Sequence, residues 1–157
     1  MTEKGRGGFD IRHNIAAKMI SRVMNEEITR ALNLSAEALV GGVDSDKKTF
    51  GISTVFKHDS KGSGKPSPRG TPPGVLSGRL RTSFRTRPAR KVGGILRVSG
   101  GTDVFYAKLH EFGIGGMPAR PFMRRGIKSA TPYIAKTFRA LGPKIRSRIR
   151  QEAGPIR

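Results

Sequence analysis

Apolar residues recur every three to five positions in the first quarter of the chain, with polar residues between them. The repeat runs through RHNIAAKMISRVMNEEITRALNLSAEALV and comprises Ile15, Met19, Val23, Ile28, Ala31 or Leu32, Ser35 and Leu39. This is the period of a helix with one apolar face, and Gly41-Gly42 supplies a typical helix end. The pattern predicts one helix over about residues 12–39, packed on a sheet. Acidic residues on its polar face argue against a membrane-surface helix.

Shorter runs of β-branched and aromatic residues follow this helix. KTFGISTVFKH predicts a strand near 49–57, and residues 83–87 and 94–98 predict two more strands, joined through 88–93. Together they would form a small antiparallel sheet. The expected fold class is α+β: a long N-terminal amphipathic helix packed on that sheet, with short C-terminal helices.

The last part of the chain has a helical pattern interrupted by proline and glycine. Thr131-Pro132 is typical of a helix start, and Gly142-Pro143 of a stop followed by a restart. We therefore expect two or three short helices. The last of them carries four basic residues spaced around it: Lys144, Arg146, Arg148 and Arg150.

The 157 residues fit a single domain, 1–157. Three segments are expected to lie outside its core: a flexible N-terminus at 1–11, an extended Gly/Pro-rich loop at 58–74 and a basic C-terminal tail at 143–157. We expect the loop to be an exposed arm that becomes ordered against a partner. An apolar content of 35% with 21 Gly predicts a small core, stabilised in part by neighbouring subunits.

The chain carries a formal net charge of +20, and residues 60–102 contain no Asp or Glu. A field of this size attracts nucleic acid or acidic protein surfaces. With no Cys and three scattered histidines (His13, His58 and His110), we expect neither a disulfide nor a metal site, and no cofactor. The sequence also lacks a stretch apolar enough for a membrane span or signal peptide, which predicts a soluble protein made inside a cell.

Two stretches suggest catalysis, and neither satisfies its chemistry. GSGKPSP at 62–68 would need a Gly six residues before Lys65 and a Ser or Thr after it to be a phosphate loop, but the chain has Asp59 and Pro66. His110-Glu111, near Asp103, offers an acid and a base, yet adjacent residues point apart and no nucleophile accompanies them. We therefore predict no enzyme. His110 would be half buried, and Glu111 paired with an arginine such as Arg120.

Arginines cluster between residues 79 and 90. On a strand Arg85 and Arg87 would share a face, and a line of guanidinium groups suits phosphates. Only Phe84 interrupts the cluster, so base stacking would be weak. The alternative is a solvated face or a salt-bridged protein interface. The series comprises Arg79, Arg81, Arg85, Arg87 and Arg90. The candidate contacts with DNA or an acidic surface are Arg79, Arg81, Arg85 and Arg87, with Lys144, Arg146, Arg148 and Arg150 of the last helix.

The stretch YAKLHEFGIGGMPARPFMRRGI, residues 106–127, combines flexible and stiff positions. Its glycines allow backbone angles closed to other residues, and Pro118 and Pro121 restrict the residues before them. We expect Phe122 to anchor the next helix in the core and the loop to carry Arg120 outward. Such a loop would fix a subunit contact formed by Tyr106, His110, Glu111, Phe112, Gly113, Arg120, Pro121 and Phe122.

The same stretch resembles a known family. YAKLHEFG followed by MPARPFMRRGI resembles the Y-A-x-x-x-E-F-G … P-A-R-P-F-L-R-P-A signature of the neck and tail-completion proteins of long-tailed bacteriophages, the lambda Z-type minor tail proteins. PPGVLSGRLRTSF is similar to the T-G-x-L-R-x-S segment of that family, although Ser77 replaces the usual Thr and Arg125-Gly126 replaces Pro-Ala. With His110 before Glu111, the stretch also resembles the virion morphogenesis proteins of Mu-like phages. The resemblance covers roughly residues 72–128.

The resemblance implies a structural virion protein that forms a homo-oligomeric ring at the head–tail junction, after assembly in the host cytoplasm. Its implied partners are a head connector or head-closure protein, a tail-terminator or tail-tube protein, and genomic DNA passing through without sequence preference; no membrane is implied. Since tight binding to phosphates would slow a sliding duplex, we favour protein contacts with some exposure to the lumen. The alternative function is that of a basic, nonspecific nucleic-acid-binding protein.

Overall fold

The computed structural model describes residues 7–43, 49–56, 67–75 and 77–154. Within these residues the fold is α+β, as predicted, with a long N-terminal helix, antiparallel strand pairs and C-terminal helices. The helices are α1 (Gly7–Val40), α2 (Arg79–Thr82), α3 (Ala107–Phe112), α4 (Met123–Arg139) and α5 (Leu141–Ala153). The strands are β1 (Gly42–Val43), β2 (Thr49–Phe50), β3 (Arg85–Val92) and β4 (Ile95–Gly101).

Helix α1 is longer than predicted, because residues 7–11 continue the helix where a flexible terminus was expected. A buried line with helical spacing runs along one side of it through Val23, Glu27, Ala31, Ser35 and Ala38. A carboxylate, Glu27, therefore occupies the position that the prediction gave to its neighbour Ile28. Ile15 is exposed, so the apolar stripe of α1 extends beyond the part of the helix that the rest of the chain covers.

The predicted strand at 49–57 is wrong except at its start. Thr49 and Phe50 pair with β1, and Ile52–Thr54 then form a 3₁₀ turn. This turn and the bend that follows it bury Ile52 and Phe56, four residues apart, in the same apolar cluster. Their spacing is that of a helical turn and not the alternation of a strand. The expected three-stranded sheet is therefore two separate two-stranded pairs within the described residues.

The second pair, β3–β4, is a hairpin that lies along α1. Strand β3 continues through Pro88 to Val92, so the predicted connection at 88–93 is mostly strand. The reversal occurs at Gly93-Gly94, which both have positive φ angles as a tight hairpin turn requires. A register shift between Arg87 and Arg90 accommodates Pro88, which cannot donate a ladder hydrogen bond.

Two small apolar clusters form the core. The larger contains Ile52, Phe56, Leu80, Phe84, Ala107 and Phe122, and its three phenylalanine rings lie 5.1 to 6.4 Å apart. The smaller contains Ala38, Phe50 and Ala130, with the ring of Tyr133 stacked 4.5 Å from that of Phe50. Phe122 is fully buried, which confirms its predicted role as the anchor of the following helix.

The C-terminal helices begin and end at other residues than predicted. Helix α4 passes through Pro132 without a break, so Thr131-Pro132 does not start it. The break between α4 and α5 falls at Ala140, just before the predicted Gly142-Pro143. Pro143 lies in the first turn of α5, where its missing N–H costs little. Residues 143–153 of the expected basic tail therefore belong to a helix that contacts α1.

Candidate subunit-contact site

A buried carboxylate joins α3 to the start of α4. Glu111 Oε2 accepts hydrogen bonds from the backbone N–H groups of Phe122 (2.7 Å) and Met123 (2.9 Å), and Oε1 accepts one from Arg124 (3.2 Å). These are donors that a helix N-terminus leaves without partners, and their positive end favours a carboxylate. Glu111 thus caps α4 from eleven residues upstream, which explains why α4 begins at Met123.

A left-handed glycine ends α3 and turns the chain back on itself. Gly113 has φ 70°, and its N–H bonds to Leu109 O at 2.8 Å. A Cβ atom there would lie 2.7 Å from Ala119 N and 2.9 Å from Met117 O. Side chains are therefore excluded at this position both by backbone angle and by space. The loop closes where Arg120 N donates to His110 O at 2.7 Å.

Arg120 points into the protein, contrary to the prediction that the loop carries it outward. Its side chain is only 8% exposed, and Nε donates to Ser67 O at 2.9 Å. Next to it Gly70 N donates to Ala119 O at 2.9 Å, and Arg125 Nη2 donates to Gly70 O at 2.8 Å. The described end of the predicted arm, residues 67–74, is therefore held against the glycine loop of the same chain; residues 58–66 lie outside the described residues.

His110 lies half buried beside this loop, as predicted. Its ring meets the edge of Tyr106 at 5.9 Å, and its buried Nδ1 has no hydrogen-bond partner. Burial, and secondarily the positive charge of Arg120, lower the pKa of His110 below its ordinary value. His110 is therefore neutral at physiological pH and packs as an aromatic ring.

The corner of the molecule formed by α3, the glycine loop after it and the start of α4 leaves three large apolar side chains in solvent. Phe105 is 75% exposed, Phe112 66% and Ile114 49%. Phe105 lies two residues before the start of α3, and Phe112 is the last residue of that helix. We call Phe105, Phe112 and Ile114 the contact face. Phe105 and Ile114 were absent from the predicted interface, and no local pattern in the sequence marks their exposure.

The eight predicted interface residues are close in space but play different roles. The predicted Glu111–Arg120 ion pair is wrong: Glu111 bonds backbone N–H groups, and Arg120 bonds a backbone carbonyl. Both are buried, as is Phe122, while Gly113 forms the turn. Tyr106, His110 and Pro121 are half buried. Phe112 alone of the eight presents a largely exposed apolar side chain.

The predicted basic contacts are divided among three places. Arg79 and Arg81 line a cavity of about 200 Å³ with Tyr106 and His110, and Arg85 and Arg87 lie on the hairpin. On α5, Lys144, Arg146 and Arg150 are exposed.

Arg148 is the exception among the basic residues of α5, because it faces α1. There it forms ion pairs with Glu27 (3.0 Å) and Glu26 (2.9 Å), and one with Glu152 of its own helix (3.0 Å). Hydrogen bonds to Glu27 and then Glu26 raise its pKa further. Arg148 therefore joins two helices of the same chain and is not a free surface cation.

Among the described residues, no cluster of three His, Asp or Glu side chains could hold a metal ion. None of the described helices is long and apolar enough to cross a membrane.

Comparison with known proteins found no match for this chain among family models, curated proteins or solved structures.

Proposed function

We propose that this protein is a structural virion subunit of the head–tail interface of a long-tailed bacteriophage, a neck or tail-completion protein. It forms a homo-oligomeric ring that joins the head connector to the tail and lets genomic DNA pass. The ring is assembled in the host cytoplasm, where its neighbours are a connector or head-closure protein and a tail-terminator or tail-tube protein. The resemblance in residues 106–127 supplies the biological setting, and the geometry of the contact face supports it.

One observation carries the proposal: Phe105, Phe112 and Ile114 are exposed to water at a corner that buried hydrogen bonds hold in place. The cap by Glu111 and the contacts of Arg120 hold α3, the glycine loop and α4 in one arrangement. A large apolar side chain on a rigid support loses little entropy when it is covered, which favours binding. Such exposed apolar groups mark interaction sites in soluble proteins.

A second copy of the chain is the occupant that fits this face best. Among the described residues, ten large apolar side chains are exposed and twelve apolar residues are buried, so the chain covers only part of its own apolar surface. Because each subunit carries a net charge of +20, copies repel one another at low salt. Added salt screens this repulsion, so assembly is expected to strengthen as salt rises.

Sedimentation velocity of the purified chain over a range of concentration and salt, with negative-stain imaging of the largest species, tests the proposal. We expect ring-shaped particles that dissociate to monomers in the Phe112→Ser variant. Ile127→Ser is the matched control, because Ile127 is similarly exposed but lies on α4. A protein that stays monomeric at every concentration and salt, or a Phe112→Ser variant that assembles normally, would contradict the proposal.

A further inference from the structure

The β3–β4 hairpin has one face toward α1 and one face away from it. Leu96 and Val98 are partly buried, and a Cβ atom on Gly100 would lie 3.6 Å from Val40 of α1. Side chains alternate along a strand, so the odd-numbered positions from 95 to 101 belong to the opposite face. Ile95, Arg97 and Ser99 on that face are all exposed, and it points to solvent.

The strand register decides which residues of β3 share this outer face, because cross-strand partners lie on the same side. Residues 87 and 90 would lie on opposite faces of a regular strand, but the register shift between them brings both to one side. The outer pairs are Arg85 with Gly101, Arg87 with Ser99, and Arg90 with Arg97. This register shift, a β-bulge, thus places four arginines on the outer side of the hairpin. We call them the arginine face: Arg85, Arg87, Arg90 and Arg97.

The bulge is fixed by the fold around it. Pro88 has no N–H to place in a ladder, and the N–H of Ala89 donates to Asn33 Oδ1 of α1 at 2.7 Å. The change of register is therefore tied to the helix beneath the hairpin. The position of Arg90 on the outer face follows from this contact and does not depend on a partner.

The four guanidinium groups are accessible. All four side chains are exposed, and none forms an ion pair within the described part of the chain. Arg85 uses Nη1 to bond Phe84 O (3.0 Å) and Thr82 O, which leaves its other donors available. Asp103 is the one carboxylate lining the shallow depression, of about 280 Å³, that Arg85 and Arg87 also line.

We propose that the arginine face binds the phosphate backbone of nucleic acid without sequence preference. Residues two apart on a strand are separated by about 6.8 Å, so the face presents a regular row of planar donors to a linear polyanion. Residues 85–101 contain no carboxylate and no aromatic residue. Bases therefore find nothing to stack on, and the contact is with phosphates alone.

Protein contacts were expected for the basic residues from the sequence, but the make-up of this face favours nucleic acid over an acidic protein. Stable protein interfaces have an apolar centre depleted of charge and a polar rim. Here the arrangement is the reverse: the centre is cationic, and the two apolar side chains, Val92 and Ile95, lie at the hairpin tip. A two-stranded ribbon is also narrow enough to follow a groove of duplex DNA. The inference goes beyond the proposed ring, because a single subunit carries the complete face.

Fluorescence anisotropy with a short labelled duplex of random sequence, titrated at several salt concentrations, tests the inference on the full chain. The slope of log K against log salt changes by about 0.9 for each phosphate contact. We therefore expect Arg87→Gln/Arg90→Gln to weaken binding and to make the slope shallower by about 1.8. Asp103→Asn, which removes a repulsive charge, is expected to strengthen binding.

Lys91→Gln is the matched control. Lys91 neighbours Arg90 and its loss removes the same charge, but it pairs with Leu96 and so lies on the α1 side of the hairpin. An effect of Lys91→Gln equal to that of Arg90→Gln would overturn the inference, since it would show a diffuse charge effect. Displacement of the duplex by polyglutamate at equal charge would overturn it in favour of an acidic protein partner. So would absence of duplex binding at low salt.

The test is independent of the proposed ring. Arg87→Gln/Arg90→Gln is expected to sediment as the unaltered protein does at high salt, where charge repulsion is screened, because it leaves the three apolar side chains of the contact face in place. Phe112→Ser is expected to keep its DNA binding even where it no longer assembles. Since all the substituted residues are exposed, an unchanged melting temperature will show that each variant is folded.

Discussion

Two buried carboxylates of this protein are satisfied in opposite ways. Glu111 accepts three backbone N–H groups at the start of α4, all within one short stretch of chain. Glu27, in the buried line of α1, is paired with the guanidinium of Arg148 from α5, whose own side chain is about one third exposed. The first carboxylate completes a helix end; the second joins two helices. The corner at Glu111 should therefore be rigid and hard to replace, and the α1–α5 contact weaker and sensitive to conditions.

The largest effect is expected for Glu111→Ala. It leaves the N–H groups of Phe122, Met123 and Arg124 without a partner in a closed corner, at a cost of about 2–4 kcal/mol in the free energy of unfolding. Glu111→Gln keeps one acceptor oxygen and should lose less. Urea denaturation measures both. If Glu111→Ala unfolds as the original protein does but fails to assemble, Glu111 belongs to an interface after all and the corner is not braced by it.

Gly113→Ala tests the turn at the same corner. The backbone at this position is left-handed, which is strained for alanine, and the new Cβ atom would clash with Ala119 N. We therefore expect a loss of about 2 kcal/mol or more in the free energy of unfolding. Gly115→Ala is the matched control: Gly115 has φ 73° but nothing within 4 Å of a Cβ atom. It should lose only about 1 kcal/mol. Equal losses would mean that the close approach to Ala119 contributes nothing.

A pair of substitutions at the α1–α5 contact sharpens the comparison. Arg148→Met alone leaves the buried Glu27 without its cation, so it should lower the melting temperature more than Arg146→Met on the exposed side of α5. Replacing both partners, Glu27→Met/Arg148→Met, should recover most of the loss, because an apolar pair needs no compensation. No such rescue exists for Glu111, whose partners belong to the backbone. A double variant as unstable as Arg148→Met would contradict this distinction.

The two regions should also differ in salt and acid. Arg22 pairs with Glu152 and with Glu26 on exposed surfaces, so salt should weaken the α1–α5 contact and leave the corner unchanged. The pKa of Glu152 is lowered by its bonds to Arg22 and then Arg148, so its contribution is present above its ordinary value of 4.5 and is lost as the pH falls through the folded value. Amide exchange along α5, measured against salt and pH, checks both expectations.

The smallest effect is expected from His110. Burial lowers its pKa in the folded protein, so the unfolded chain binds a proton more readily near pH 6.5. The stability associated with neutral His110 is complete above that pH and declines as the pH falls below it. His110→Gln should flatten the dependence of the melting temperature on pH in this range. His13 and His58 are present in both proteins. If the melting temperature depends on pH identically in the two, His110 does not contribute to that dependence.

Sequence predicted those features that depend on local pattern. The helical period located α1, the β-branched runs located parts of both hairpin strands, and Phe122 was recognised as the anchor of the following helix. The predicted connection at 88–93 was too long, because the reversal needs only Gly93-Gly94. Features decided by distant contacts could not be predicted. Helix α4 begins where the carboxylate of Glu111 caps it, so Thr131-Pro132 was mistaken for its start.

The same limit explains the errors at the site. The inward direction of Arg120 depends on Ser67, far away in sequence, so the chain order alone suggested an outward cation. Arg90 joins Arg85 and Arg87 because Asn33 of α1 holds the bulge. The exposure of Phe105 and Ile114 was missed for the same reason, because it depends on which distant parts of the chain cover them.

The absence of Cys from the natural sequence allows a direct test of the contact face by single-site labelling. A Lys108→Cys variant would be treated with a maleimide in its assembled and monomeric fractions, with Lys136→Cys on α4 as the exposed control that loses the same charge. Lys108 is exposed and lies four residues before Phe112 on α3, so it adjoins the contact face and leaves its three apolar side chains in place. We predict rapid labelling at residue 108 in the monomer, strong protection in the assembled particle, and equal labelling of the control in both. Equal labelling at residue 108 in both fractions would show that the contact face stays in water and would contradict the account.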